Sequence, residues 1–126
     1  MEKRFVGIAA FFFMLSIAFG AFGAHALKTI LATELLDTYQ VGVRYQSLLS
    51  LGLLALAFQA DRHSFSIRPI AWLLVIGLLL FSFSIYGIVA CKHFGVAPGI
   101  LGPLTPIGGL LSIVGWCLYL FRLLKY

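Results

Sequence analysis

The chain has 126 residues, of which 62% are hydrophobic and 10% are charged, with a formal net charge of +5 and a mean hydropathy of +1.07. A soluble domain of this length has too small a core to bury so much apolar surface. The basic residues lie at the ends of apolar blocks and not on a polar face between aromatic residues, which excludes nucleic acid as a partner and indicates the lipid bilayer.

Four apolar blocks follow one another along the chain. The first, third and fourth are easily recognised, because a bilayer core requires about 20 apolar residues of helix. The start of the fourth is predicted by Thr105 as a helix N-cap, followed by Pro106 in the first turn. The chain is predicted to be one all-α transmembrane domain, residues 1–126, a four-helix bundle with helices at about 5–27, 35–60, 69–91 and 105–124.

The second block is the shortest, because only 16 uncharged residues run from Tyr45 to Ala60. Leu36, Tyr39 and Val43 continue the helical spacing upstream. We therefore expect this helix to begin near Thr33 and to enter the membrane around Arg44. The Arg44 side chain then either extends to the outer surface or turns into the bundle.

The distribution of Lys and Arg predicts the orientation. Four spans place both termini on one side of the membrane, and the side richer in Lys and Arg is the cytoplasm. We therefore expect the amino and carboxyl termini to be cytoplasmic. Six of the basic residues fall on the side of the termini and three on the other: Lys3, Arg4, Arg62, Arg68, Arg122 and Lys125, against Lys28, Arg44 and Lys92.

The first block also has features of a cleavable signal peptide. Lys3 and Arg4 precede a long apolar run, and Ala24-His25-Ala26 has the small residues of a cleavage site. The apolar run is longer than the usual 7 to 15 residues of a signal peptide, as a rough guide. We expect a transmembrane span.

Small residues at four-residue spacing predict where the helices pack. Apolar contact does not drive helix association in lipid, so small residues that allow close backbone approach are expected at the interfaces. The first helix has one such stripe and the fourth has another, widened by further glycines. The predicted packing residues are Ser16, Gly20, Gly23 and Ala24 in the first helix and Gly108, Gly109, Ser112 and Gly115 in the fourth.

The most polar region is predicted at the outer ends of the first two helices. It has two interpretations: a proton-responsive or anion-binding cluster, or an ordinary interfacial salt-bridge network. We favour the salt-bridge network, because charge networks are often structural. The candidate cluster is His25, Glu34, Asp37, Arg44 and Tyr45.

The residues of known catalytic and metal sites are missing from the sequence. His25 and His93 lie toward the outer side and His63 toward the inner side, with no metal-ligand spacing among them. Cys91 and Cys117 lie at different depths, so no disulfide is expected. We predict no cofactor, no metal and no enzymatic activity.

Five segments in combination resemble a known family. The chain is similar to the YgdD-like family of small bacterial inner-membrane proteins, related to a mitochondrial-type transmembrane protein of animals. The resemblance covers nearly the whole chain and implies a multi-pass protein of the bacterial inner (plasma) membrane with unassigned function. The segments are Gly20-Ala21-Phe22-Gly23-Ala24-His25, Tyr45-Gln46, Phe81-Ser82-Phe83-Ser84-Ile85-Tyr86, Thr105-Pro106-Ile107-Gly108-Gly109 and Gly115-Trp116.

Two positions depart from the pattern of that family. Leu49 stands where the resemblance implies a histidine, and Phe83 stands where it implies a glycine between two serines. A shared two-histidine site, and a close helix approach at Phe83, are therefore not expected.

Three functions are considered, and a membrane enzyme ranks last because no nucleophile, base and orienting partner occur together. The first is a structural, assembly or accessory membrane component that packs against lipid, a membrane protein partner or a second copy of the chain. The alternative is a channel or carrier for a small polar or anionic solute, with its mouth at the outer ends of the first two helices.

Overall fold

The computed structural model describes the whole chain, Met1–Tyr126, as helices joined by short connections and without β-strands. All four long helices have the length and apolar composition to cross a membrane, so the predicted all-α membrane fold is confirmed. We number them α1 Lys3–Ile30, α2 Thr33–Phe58, α3 Arg68–His93 and α4 Leu101–Lys125, with one 3₁₀ turn at Ala60–Arg62.

The helices α2 and α3 form the centre of the bundle. In their apolar windows 39% and 44% of residues are buried, against 17% in both α1 and α4. α1 packs mainly against α2, α4 packs mainly against α3, and α2 contacts α3. The two outer helices therefore lie on opposite flanks of a central pair and leave most of their surface to the surroundings.

Two apolar clusters lie toward opposite ends of the bundle. The larger is near the termini and brings together Phe5 of α1, Leu53 of α2 and Leu74 of α3. The smaller contains Tyr39, Val43 and Val89 near the other end. Between these clusters lies a layer of buried polar side chains, and it provides the most distinctive chemistry of the fold.

A short π-helical turn interrupts both α1 and α3. These turns cover Gly23–Leu27 and Leu79–Phe83. Wide turns of this kind are rare and often mark functional or closely packed positions. The turn in α3 lies where both α2 and α4 approach its backbone.

The fourth helix begins earlier than predicted. It starts at Leu101, so Thr105 is inside the helix and is not its N-cap. The Thr105 hydroxyl instead contacts the Leu101 carbonyl and the Ser84 hydroxyl. Pro103 lies in the first turn, where backbone N–H groups lack helical partners, and the bond lost at Pro106 is also close to that end. The other predicted helix ends lie within one turn of those observed, and α2 begins at Thr33 as expected.

Candidate functional site

The buried amide of Gln46 links three helices at the centre of the bundle. Gln46 is completely buried. Its Nε2 donates to the Phe12 carbonyl of α1 at 2.9 Å, and its Oε1 accepts from the Tyr86 hydroxyl of α3 at 2.6 Å. One side chain of α2 therefore fixes the positions of α1 and α3 together.

An aromatic layer surrounds this amide on its outer side. The Tyr39 hydroxyl donates to the Phe19 carbonyl of α1, and the Tyr39 and Tyr86 ring centroids are 5.4 Å apart. Phe19 and Phe83 both pack edge-on against Tyr86. Gly23 makes room for Tyr39, because a Cβ at position 23 would collide with the tyrosine ring.

Two serines of α3 extend the polar layer to its neighbours. Ser82, in the π-helical turn, is fully buried, and its Oγ donates to the Gly42 carbonyl of α2 at 2.8 Å. The Ser84 Oγ lies 2.6 Å from the Thr105 Oγ1 of α4. The centre of α3 is thereby hydrogen-bonded on both sides.

The helices α3 and α4 approach each other at the level of their backbones. A Cβ added at Gly108 would lie 2.7 Å from the backbone carbon of Leu80 and would also collide with Phe81. A Cβ at Gly77 would collide with the Ser112 hydroxyl. That hydroxyl donates to the Gly108 carbonyl at 3.1 Å. Close approach of this kind maximises dispersion contact between helices in lipid.

The buried polar atoms are fully paired. Every buried side-chain nitrogen or oxygen has a hydrogen-bond partner within the chain. No buried side-chain nitrogen or oxygen of the layer around Gln46 is therefore left without a hydrogen-bond partner. No group of three or more His, Cys, Asp or Glu side chains is placed to hold a metal ion. The arrangement joins the helices and contains no nucleophile and base in contact.

The predicted outer polar cluster is dispersed over the surface. All five of its side chains are exposed, and no hydrogen bond or ion pair joins any two of them. His25 Nδ1 contacts the Ala21 carbonyl of its own helix at 2.9 Å, and the Tyr45 ring packs on Phe81. Arg44 does not turn into the bundle. No hydrogen bond or ion pair within the chain therefore joins the five side chains into one site.

The two ion pairs of the structure lie at the opposite end of the bundle. The amino terminus pairs with Asp61, and Arg68 pairs with Glu2 at 3.0 Å. Glu2 N–H also donates to the Ala57 carbonyl at 3.0 Å. These contacts fix the beginning of α1 against α2 and α3.

Most of the predicted packing residues are at helix contacts. A Cβ at Gly20 would touch Val43 at 3.5 Å, and a Cβ at Gly109 would touch the Phe81 ring, also at 3.5 Å. Ala24 departs from the prediction because it is exposed. Contact with α2 instead passes from Gly20, against Val43, to Gly23, against Tyr39, which is the other spacing that keeps residues on one helical face. The buried members of the set are Ser16, Gly23, Gly108, Ser112 and Gly115.

The sequence analysis did not identify Gln46 or Tyr39 as central residues. A signal was available, since Tyr39, Gly42, Gln46 and Ser50 recur at a spacing of three to four residues along α2. Polar and small residues on one face of a membrane helix indicate a face turned toward other helices. All four are buried in the structure.

An open groove lies on a different side of α2 from the buried stripe of Tyr39, Gly42, Gln46 and Ser50. It runs between α2, α3 and α4, with a volume of about 520 Å³. Most of its lining is apolar. Tyr45 and Trp116 border it with polar groups that have no hydrogen-bond partner within the chain. Its lining is Val41, Tyr45, Leu49, Phe81, Gly109, Ser112, Ile113 and Trp116.

Comparison with known proteins identifies a family. Residues 19–109 match the family described as a protein of unknown function, DUF423. UPF0382 membrane proteins of Staphylococcus saprophyticus and Bacillus subtilis are 36% and 35% identical to this chain, and each alignment covers 98% of both chains. A UPF0382 membrane protein of Haemophilus influenzae is 33% identical over 92% of this chain and 90% of its own length. No solved structure matches. The chain therefore belongs to the DUF423 family, and its relatives are bacterial membrane proteins that carry the name UPF0382.

Proposed function

We propose that this protein is a non-catalytic structural, assembly or accessory component of the bacterial inner membrane. The proposal rests chiefly on the bundle interior, where every buried polar side-chain atom is paired with another group of the chain. These hydrogen bonds hold the helices to one another, and a solute that enters the interior has to compete with them. The side chains that are free to contact other molecules therefore lie on the outer surface of the bundle.

That outer surface is extensive on the two flanking helices. The face of α4 that points away from α3 exposes large side chains, including Leu110, Val114 and Phe121. α1 exposes Phe11, Met14 and Ile17 in the same way. Lipid covers such surfaces in an isolated protein, and a transmembrane helix of a larger complex covers them in an assembly.

The orientation and location that accompany this proposal follow from charge. The end of the bundle that carries both termini also carries the larger number of Lys and Arg residues, which supports cytoplasmic termini. The segments with the YgdD-like pattern support the same assignment to the inner membrane. The connection between α3 and α4 then faces outward.

Site-specific photocrosslinking tests the accessory function. A photoreactive residue at Leu110, on the exposed flank of α4, is expected to give one discrete adduct with a membrane protein or a second copy. The same residue at Leu53, which is buried, serves as the matched control and is expected to give none. Native mass after mild detergent extraction is measured in parallel. A solitary monomer without bound lipid, together with no adduct from either flank, would contradict the proposal.

A second candidate function is a channel or carrier, and one surface feature favours it. A depression of about 280 Å³ opens beside the end of α1 and the connection after α3. Its lining is mostly apolar, and Tyr39, Tyr86 and His93 supply its polar groups. Liposome flux of small anions is the test. If His93→Ala, His25→Ala and Arg44→Ala all leave the flux equal to that of the unsubstituted protein and of empty liposomes, this alternative is eliminated.

A further inference from the structure

Arg44 is an exposed cation at membrane depth. The hydrogen bond from Glu2 to the Ala57 carbonyl marks the end of the bundle that carries the termini. Arg44 precedes Ala57 by 13 residues, which places its Cα about 20 Å from that end at 1.5 Å per residue. With one boundary of the hydrocarbon core placed at that end and a thickness of about 30 Å, the backbone of Arg44 lies roughly 10 Å inside the opposite boundary.

The Arg44 side chain has no partner within the chain. It is exposed, and none of the hydrogen bonds or ion pairs of the structure involves it. Charged side chains at this depth normally face the bundle interior or pair with an opposite charge. An exposed guanidinium that reaches toward the headgroup region is available to pair with an anionic group from outside the protein.

The open groove described above begins beside Arg44. Val41 and Tyr45, three residues before and one residue after Arg44, form its end nearer the α1–α2 connection, and Trp116 lies toward the other end. Arg44 is beside the groove and is not part of its lining. Its volume of about 520 Å³ falls within the range of roughly 300–1,000 Å³ that is typical of ligand sites. A cation at one end of a long apolar groove matches a ligand with one charged group and one apolar chain.

We propose that this groove binds one anionic phospholipid, with its phosphate on Arg44 and an acyl chain along Leu49 and Ile113. The snorkelling guanidinium reaches toward the headgroup region, and Arg binds phosphate through two parallel N–H donors. The free Tyr45 hydroxyl adds a third donor at the same end. In the orientation proposed above, this lipid belongs to the outer leaflet.

Charge argues for a lipid in this groove in preference to a second copy of the chain. A symmetric dimer about an axis along the membrane normal places equivalent residues at equal depth. The Arg44 side chains of two copies would then face each other without an intervening anion, which is unfavourable in a medium of low dielectric constant. A phospholipid supplies the negative charge and fills the groove at once.

Titration of the full-length, detergent-purified protein with phosphatidylglycerol tests this proposal by native mass spectrometry. We expect one tightly retained lipid per chain, and phosphatidylcholine bound more weakly. Arg44→Gln is expected to weaken phosphatidylglycerol binding about tenfold, as for the loss of one charge-assisted interaction. Lys92→Gln, the matched control, removes an exposed cation near the same end but outside the groove, and should leave binding unchanged.

A second variant keeps the charge of Arg44 and fills part of the groove. Ile113→Trp replaces an exposed aliphatic side chain of the groove by a larger indole ring. This variant should weaken phosphatidylglycerol binding while Arg44 is intact. Equal binding by Arg44→Gln, or by Ile113→Trp, overturns the proposal. So does a mass of two chains without lipid, because a second copy then covers the groove. A second cleft, at the end of the bundle that carries the termini, is lined by Lys3, Arg4 and Arg68 among others. Arg4→Gln tests this cleft, and a loss of binding confined to that variant also overturns the proposal. None of these outcomes depends on the photocrosslinking result, so the two proposals fail separately.

Discussion

The hydrogen bonds of Gln46 predict a specific pattern of coupling between two substitutions. Gln46→Leu removes two interhelical bonds, each worth on average about 0.6 kcal/mol in a membrane protein. It also leaves the half-buried Tyr86 hydroxyl without its acceptor, which costs about 1–3 kcal/mol. We therefore expect Gln46→Leu to lower the free energy of unfolding by about 2–4 kcal/mol.

The companion substitution Tyr86→Phe removes the donor and leaves Gln46 Oε1 unpaired in the core. We expect a loss of about 2 kcal/mol for this variant alone. The double variant has no orphaned group at this contact, so its loss should be smaller than the sum of the two single losses by about 1–2 kcal/mol. Replacement of both partners by apolar groups of similar shape is much less harmful than replacement of one.

The assay is reversible unfolding in mixed detergent micelles, followed by helical circular dichroism, for the four proteins of the cycle. Ser47→Ala is a suitable control, since its hydroxyl bonds the Val43 carbonyl one turn earlier in the same helix at 3.1 Å. That substitution should change the free energy of unfolding by less than about 0.5 kcal/mol. If the losses of Gln46→Leu and Tyr86→Phe simply add within about 0.5 kcal/mol, the reasoning on this contact is refuted.

Two further predictions concern helix packing and orientation. Gly108→Ala forces a Cβ against the backbone at Phe81 and should destabilise the bundle by about 1–3 kcal/mol, whereas Gly102→Ala, with open space at the same helix, should be neutral or slightly stabilising in the same unfolding assay. For orientation, a membrane-impermeant maleimide applied to intact cells should label Asp37→Cys and not Arg62→Cys, both in a cysteine-free background. The reverse labelling would show that the termini face outward.

The four spans were predictable because hydrophobicity is a local property of the sequence. A block such as 69–91 has no charged residue, and the bilayer requires a helix there whatever its neighbours are. The upstream start of α2 at Thr33 was also predictable, since Leu36, Tyr39 and Val43 keep the helical period. The start of α4 was not, because Pro106 favours the first turn of a helix without fixing how many residues precede it.

The candidate site was harder to predict from the sequence than the spans, because it depends on which helix faces pack against each other. Glu34, Asp37 and Arg44 lie along one side of α2, and their charges indicate a network when the helix is considered alone. The bundle turns the opposite side of α2 inward. Gln46 and Tyr39 thereby become central, while the charged side chains remain separate on the surface. The stripe of Tyr39, Gly42, Gln46 and Ser50 is the local pattern that favours this choice, but the charged residues on the other side of α2 compete with it.

The direction of the central hydrogen bonds explains why α1 is held firmly although little of it is buried. Gln46 and Tyr39 of α2 both donate to main-chain carbonyls of α1, at Phe12 and Phe19. A carbonyl has two lone pairs, so each accepts this bond in addition to its helical one. α1 therefore needs no polar side chain of its own to keep its position, and its surface residues are free to match the surroundings. α2 thus supplies the hydrogen bonds that fix the packing of the two helices, and α1 supplies apolar surface. This arrangement is expected of a membrane protein that acts through its exterior.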